Sequence, residues 1–262
     1  MGRKLGQIFL IDSNIIEKIV KAANLSKNDV VVEVGCGDGI LTKALAKKVK
    51  KLYVIEIDKK CVENTKNNIG KLDNVHYILG NILETGFLNI SETSFKIVAN
   101  IPYYITAKFL KLIIANRPKV EAATIMIQKE FADKLIAMPS TKQYTSLTLY
   151  CRYFLDAKYL FKVSKNSFFP VPKIDSAILT FTPKTKPPFE LEDEDLFFNI
   201  IRSAFNARRK CLTNALSKNP YLKLNPDFKK IHFFEENPKI RGETMALLDY
   251  HKLYEELKQY II

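Results

Sequence analysis

Val30-Val31-Val32-Glu33-Val34-Gly35-Cys36-Gly37-Asp38-Gly39-Ile40 is the stretch that decides the fold. Its first five residues form a β-branched run interrupted only by Glu33, and such a run reads as a buried strand. Three glycines within the next five positions let the backbone turn sharply and approach a ligand closely. Leu41, Ala44, Leu45 and Val49 then recur near helical spacing, which predicts a helix over 40–50. Strand, glycine loop and helix in that order open a β-α-β unit. Ligands of open α/β sheets sit at the carboxyl ends of such strands, where this loop falls.

The same rhythm continues downstream. Leu52–Ile57, Val75–Leu79, Phe95–Ala99 and Ala122–Ile127 read as strands, and Lys60–Ile69 and Thr106–Ala115 as helices. This alternation implies a mostly parallel sheet covered on both faces. After Ser140 the pattern changes. Ser146–Phe154, Ala157–Val163 and Ile174–Phe181 read as strands without long helices between them, which fits an antiparallel hairpin at the sheet edge. Pro183, Pro187 and Pro188 punctuate a linker, and Glu192–Asn206 and Met245–Leu257 read as helices. The expected division is therefore a domain of residues 1–184 and a small helical domain of residues 185–262.

Composition narrows the partners. A net charge of +13 over 262 residues favours a polyanion such as nucleic acid over a neutral ligand surface. Cys36, Cys61, Cys151 and Cys211 form no C-x-x-C pair, and His76, His232 and His251 supply no zinc spacing, so no metal is expected. No apolar run reaches the roughly 18 residues of a membrane span, and Met1–Gln7 lacks the apolar region of a secretory signal. The expectation is a soluble, cytoplasmic protein with no membrane partner.

The loop reads G-x-G-x-G. The dinucleotide fingerprint G-x-G-x-x-G would need a third glycine at position 40, which is Ile40. With Glu33 before it, the loop resembles motif I of the class I methyltransferases, which implies S-adenosylmethionine as cofactor and contacts from Gly35 and Gly37. Glu56 is the sole acid in Val54–Ile57, at the carboxyl end of the second strand. A carboxylate there can accept hydrogen bonds from both hydroxyls of a ribose. Asp58 is the second candidate, although a helix N-cap explains it as simply. Asn81 follows the third strand, where the methyltransferase family usually places an acid that holds the adenine amino group. Its amide oxygen can accept the same bond without charge.

Asn100-Ile101-Pro102-Tyr103 ends the fourth strand and resembles the N-x-P-Y motif of methyltransferases that act on exocyclic or amide nitrogen. An aromatic amine is a weak nucleophile because its lone pair is delocalised into the ring. Two acceptors, the Asn100 side-chain oxygen and the Ile101 or Pro102 carbonyl, can hold the two amine hydrogens and direct the lone pair at a methyl sulfonium. Positioning then supplies much of the rate, without a strong base. Tyr103 is placed to stack on an extruded base.

Taken along its length, the chain resembles the KsgA-type small-subunit rRNA adenine dimethyltransferases, relatives of the erythromycin-resistance rRNA methyltransferases. Gly6-Gln7-Ile8-Phe9-Leu10-Ile11-Asp12 is similar to that family's N-terminal G-Q-x-F-L motif, which implies cofactor contacts at Ile8 and Leu10, with Ile8 standing where the family is commonly polar. Asn100-Ile101-Pro102-Tyr103-Tyr104-Ile105-Thr106, Gln128-Lys129-Glu130-Phe131-Ala132 and Ser167–Ala177 fit further family stretches. The resemblance implies an aromatic residue flanking the target base at Phe168 or Phe169; Phe169 is taken as the candidate. It also matches Arg208-Arg209-Lys210 to a basic stretch of the family's C-terminal domain. With Arg202 these residues read as one basic helix, with Phe205 facing inward, suited to RNA phosphates.

The expected architecture is α/β, a Rossmann-like class I methyltransferase sheet with a small helical C-terminal domain. The implied reaction gives N6,N6-dimethyladenosine at two adjacent adenosines in a hairpin near the 3′ end of small-subunit rRNA. The implied partner is that rRNA within an immature ribosomal subunit, met by a monomeric enzyme. The rival readings are a large-subunit resistance methyltransferase and a non-catalytic ribosome-assembly factor on the same fold.

Overall fold

The computed structural model describes residues 8–262, so Gly6 and Gln7 of the N-terminal motif lie outside the described residues. Nine strands form. They are β1 (Phe9–Leu10), β2 (Val30–Val34), β3 (Lys51–Glu56), β4 (Val75–Leu79), β5 (Phe95–Asn100), β6 (Val120–Gln128), β7 (Leu155–Val163), β8 (Phe168–Phe169) and β9 (Ser176–Pro183) among the described residues. The helices are α1 (Ser13–Ala22), α2 (Ile40–Ala46), α3 (Lys59–Ile69), α4 (Ile82–Thr85), α5 (Thr106–Ala115), α6 (Lys129–Ile136), α7 (Ser146–Phe154), α8 (Glu194–Asn206), α9 (Leu212–Ser217), α10 (His232–Glu236) and α11 (Leu247–Leu257).

Seven strands make one sheet in the order β4-β3-β2-β5-β6-β9-β7. The five from β4 to β6 run parallel, while β9 is antiparallel to both β6 and β7. β2 starts in the interior; the chain then builds outward through β3 and β4, returns to β5 on the other side of β2, and builds outward again. The carboxyl ends of β2 and β5 are therefore a topological switch point, where helices diverge and leave a crevice. The β-branched strands suit burial on both faces. Val31, Val32, Leu52, Val54, Ile97, Val98, Ile125 and Ile127 are all at most 1% exposed. This is the parallel α/β sheet that the alternation predicts, with the antiparallel pair at its edge. A separate two-stranded ribbon pairs Phe9 with Phe169 and Leu10 with Phe168.

The chain folds as two compact units. The first ends at Ala132 and resumes over Leu155–Thr185; the second comprises Asp133–Phe154 and Lys186–Ile262. A single cut after residue 184 thus misassigns residues 133–154. The cause is Ser146–Phe154, expected as a strand and found as helix α7. Thr145 and Thr148 cap it reciprocally, the Thr145 N–H donating to Thr148 Oγ1 (3.0 Å) and the Thr148 N–H to Thr145 Oγ1 (3.4 Å). The aromatic content that mimics a strand is spent on packing within the second unit. Tyr153 packs its ring near Phe197 and Phe198, and its hydroxyl donates to the Phe189 carbonyl at 2.8 Å. Other expected elements differ at their ends: the helix expected over 40–50 stops at Ala46, and the helices expected to begin at Glu192 and Met245 begin at Glu194 and Leu247. Helices α1, α6, α9 and α10 form where the sequence reading expects no element.

Glu33 is the anomaly of the sheet. It sits in the interior strand β2, fully buried, and neither carboxyl oxygen has a hydrogen-bond partner among the described residues. Burial raises its pKa from 4.5 to about 8, because an unpaired charge in a dry core is costly. The folded protein keeps this proton while the unfolded chain releases it near 4.5, so stability is full below that value and falls as the pH climbs towards about 8. Glu33→Gln cannot titrate. Its stability relative to wild type is expected to improve by at least about 1 kcal/mol between about pH 5 and pH 8, read from urea unfolding at several pH values. A difference that stays constant over that range means that Glu33 is ionised in the fold.

Candidate active site

The loop after β2 is threaded between neighbours that leave little room for a side chain at Gly35 or Gly37. Gly35 has φ +82° and an added Cβ would lie 3.2 Å from the Asn100 carbonyl oxygen. Gly37 has φ +55°, and a Cβ there would meet the Phe9 ring at 3.1 Å. Both positions therefore require glycine on conformation and on space. Thr65 Oγ1 on α3 donates to the Gly37 carbonyl (3.1 Å) and Asn68 Nδ2 to the Asp38 carbonyl (3.0 Å), pinning the loop from outside.

Glu56 closes the other side. It is the last residue of β3 and 8% exposed. Its Oε2 accepts from the Cys36 N–H at 3.1 Å and its Oε1 from the Asp58 N–H at 2.9 Å. The carboxylate is thus fixed by two backbone donors and keeps further lone pairs for a ligand in the cavity it lines. Asp58 instead caps α3, accepting from the Lys60 N–H at 2.9 Å. Asn81 caps α4: its Oδ1 accepts from the Leu83 N–H (3.1 Å) and its Nδ2 donates to Glu84 (2.7 Å). Its amide is oriented, with one lone pair of Oδ1 left for an adenine amino group. The Cys36 thiol, also on the wall, is held neutral because burial pushes it well above the usual thiol range.

Asn100 ends β5 directly across from Gly35. Its side chain is half-buried, lines the same cavity, and has no hydrogen-bond partner among the described residues. Ile101 is buried, and Pro102 turns the chain into a 3-10 turn over Tyr103–Ile105. The Tyr103 hydroxyl shares a 2.8 Å hydrogen bond with Ser176 Oγ on β9, which fixes its ring at the wall. Of the two phenylalanines, Phe168 lines the cavity and is 2% exposed, whereas Phe169 is 57% exposed and is not on the wall. Neighbouring residues of a strand point to opposite faces, so of the two it is Phe168, and not the expected Phe169, that lies on the cavity wall.

These parts enclose one cavity of about 700 Å³, which Ile8 and Leu10 also line. Among the described residues its only charged lining side chains are Asp38 and Glu56, both acids, on a chain whose net charge is +13. Such a wall suits a cationic ligand with a ribose, the description of S-adenosylmethionine, and offers no basic side chain to the pyrophosphate of a dinucleotide. The fit rests on the fixed Glu56 carboxylate and on the glycine cradle that a Cβ would fill.

The basic stretch of the second unit is rearranged. Helix α8 ends at Asn206, so only Arg202 is helical, and it is exposed with a 3.0 Å bond to Asn199. Arg208 is turned inward: Nε donates to Glu243 (2.6 Å) and the two terminal nitrogens to the carbonyls of Lys142 (2.8 Å) and Thr141 (3.0 Å). Its expected role on phosphate is therefore corrected to a clamp inside the unit. Arg209 and Lys210 stay exposed. Sequence reading missed that Lys210 shares a surface hollow of about 350 Å³ with Lys218, Lys229, Asn214 and Ser217. Nothing in the spacing of residues 210, 218 and 229 announces that convergence.

Known proteins resemble the chain over nearly its full length. The family described as Ribosomal RNA adenine dimethylase matches residues 1–258. A ribosomal RNA small subunit methyltransferase A of Clostridium acetobutylicum is 40% identical over 262 residues, covering 98% of this chain and 93% of that protein. A dimethyladenosine transferase from Plasmodium falciparum superposes with a TM-score of 0.82 at 27% identity, over 97% of this chain and 99% of that one. The 23S rRNA methyltransferase ErmE gives 0.71 at 24% identity over 96% and 100%, a likeness of fold alone.

Two outcomes follow from the geometry. Glu56→Ala is expected to weaken S-adenosylmethionine binding by about 2 kcal/mol or more, since a charged acceptor is lost; unchanged affinity by calorimetry places the ribose elsewhere. Arg208→Ala is expected to destabilise the protein by about 1–3 kcal/mol, because Glu243 and two carbonyls lose their donor. A thermal midpoint equal to that of wild type contradicts the clamp.

Proposed function

The chain belongs to the ribosomal RNA adenine dimethylase family, and on that premise we propose that it transfers methyl groups from S-adenosylmethionine to N6 of two adjacent adenosines in a hairpin near the 3′ end of small-subunit rRNA. Four transfers complete the reaction, two to each amine. The observation that carries the reading is Asn100: an unpartnered amide on the wall of the cavity that the glycine loop cradles.

When bound, S-adenosylmethionine supplies a methyl group on a positively charged sulfur. The protein supplies placement. Asn100 Oδ1 accepts one hydrogen of the adenine amine and the Ile101 or Pro102 carbonyl accepts the other, which directs the nitrogen lone pair towards the methyl carbon. The Tyr103 ring, held by Ser176, stacks on the extruded base, and Phe168 closes the far wall. Transfer would break the S–C bond as the N–C bond forms, and the amine would give one proton to water. The monomethylated nitrogen still has one hydrogen for Asn100 or the carbonyl, so one of the same two acceptors serves the second transfer.

Arg202, Arg209 and Lys210 supply phosphate contacts, and the hollow of Lys210, Lys218 and Lys229 extends them; such contacts set register and not sequence. None of these three lysines has an acidic partner among the described residues. The substrate is the immature small subunit in the cytoplasm, and the enzyme acts as a monomer. Among the described residues no helix is long and apolar enough to cross a membrane.

The test is tritiated-methyl transfer to immature small subunits, followed by mapping of N6,N6-dimethyladenosine. Asn100→Ala is expected to keep its affinity for S-adenosylmethionine and to lose transfer by at least about two decades. Near-normal turnover in that variant removes Asn100 from the mechanism.

A further inference from the structure

Tyr103 and Tyr104 are neighbours in one 3-10 turn, yet the fold uses only the first. Tyr103 is half-buried and tied to Ser176 at 2.8 Å. Tyr104 is 81% exposed, the most exposed of the large aromatic side chains among the described residues. Its hydroxyl has no hydrogen-bond partner and its ring no aromatic or cationic neighbour among those residues. Even so, it lines the cavity that holds Asn100 and Tyr103. Successive side chains of a 3-10 turn diverge by about 120°, so the two rings cannot share a side: one closes the wall and the other stands at the mouth.

Folding gains little from a tyrosine ring left in water, and packing does not account for it. A nucleic-acid substrate does. When one base leaves its stack, the base next to it loses an aromatic face. An exposed ring one residue from the ring that receives the extruded base is placed to replace that face, and every base offers it a π surface. We propose that Tyr104 is a positioning residue on which the base adjacent to the target adenosine stacks, so that the RNA enters with one base in the cavity and its neighbour on the rim. The preferred neighbour is a purine, which offers the larger face. The inference rests on the reading of the cavity as the adenosine site.

The test uses RNA hairpins in which 2-aminopurine replaces the nucleotide on either the 5′ or the 3′ side of the target adenosine, titrated to saturation as judged by an independent end label. Stacking on Tyr104 is expected to quench the fluorescence of one of the two hairpins with wild type and with Tyr104→Phe, and not with Tyr104→Ala or Tyr104→Leu. In steady-state transfer to immature small subunits, Tyr104→Ala and Tyr104→Leu are expected to raise KM for RNA about tenfold, and Tyr104→Phe less than about twofold, the effect of losing one base–aromatic stack. Thermal unfolding checks that each variant is folded. Equal quenching by wild type and Tyr104→Ala, or a leucine variant as good as phenylalanine, overturns the proposal. Failure of the wild type to methylate unmodified subunits instead overturns the reading of the site.

Discussion

The first glycine after β2 and the last residue of β5 approach so closely that a Cβ on Gly35 would stand 3.2 Å from the Asn100 carbonyl oxygen. That approach makes one site out of two motifs separated by 65 positions in sequence. It exists because β2 and β5 are hydrogen-bonded neighbours, with Val34 opposite Ala99, and because the chain turns away from them in opposite directions. Parallel pairing fixes the register, register places the two carboxyl ends level, and the crevice between diverging connections does the rest. A bulkier residue at position 35 would push the loop away from Asn100 and separate cofactor from amine, where displacements of about 1 Å already cost rate.

The two strand acids beside this loop, Glu56 and Glu33, differ little in burial and greatly in their partners. Glu56 accepts from two backbone N–H donors at 2.9–3.1 Å. Glu33 has none among the described residues and takes a proton instead. The difference is position along the strand. Glu56 is the terminal residue of its strand, where the chain leaves the sheet and frees N–H groups at Asp58 and at the neighbouring loop. Glu33 lies inside its strand, where the ladder has claimed every donor.

The sheet and the cofactor side of the site were legible because each depends on a local pattern: β-branched runs, glycines, and an acid at a strand end. Asn100 was legible because N-x-P-Y at a strand end has few other uses. What escaped depends on partners distant in sequence. Ser146–Phe154 carries strand-like residues, and only the Thr145–Thr148 cap and the aromatic rings contributed by residues 189–198 make it a helix. Arg208 looks like its neighbour Arg209; Glu243, 35 positions on, and the carbonyls of Thr141 and Lys142 tell them apart. Phe168 and Phe169 are identical as residues, and the one-residue choice between them is set by pairing with Leu10 and Phe9. Asn81 lies on the cavity wall, and its use as a cap for α4 follows from a short helix that periodicity cannot detect.

The position of the negative charge also bears on rate. Attack of a neutral amine on a sulfonium spreads and then removes positive charge from sulfur. A carboxylate beside the sulfur would therefore stabilise the reactants more than the transition state and slow the reaction. Glu56 ends β3, two strands from β5, and adjacent strands lie roughly 5 Å apart, so about 10 Å separates its strand from that of Asn100. On the proposed reading, that distance lets the carboxylate hold a ribose and favour a cationic cofactor while the reacting centre lies among Asn100, Pro102, Tyr103 and Phe168, none of them charged. The exterior carries the opposite sign, in keeping with a net charge of +13. Screening over roughly 8–10 Å at physiological salt keeps the two fields apart: basic side chains on the surface draw in a polyanion, and the acidic, partly dry cavity selects the cation that reacts with it.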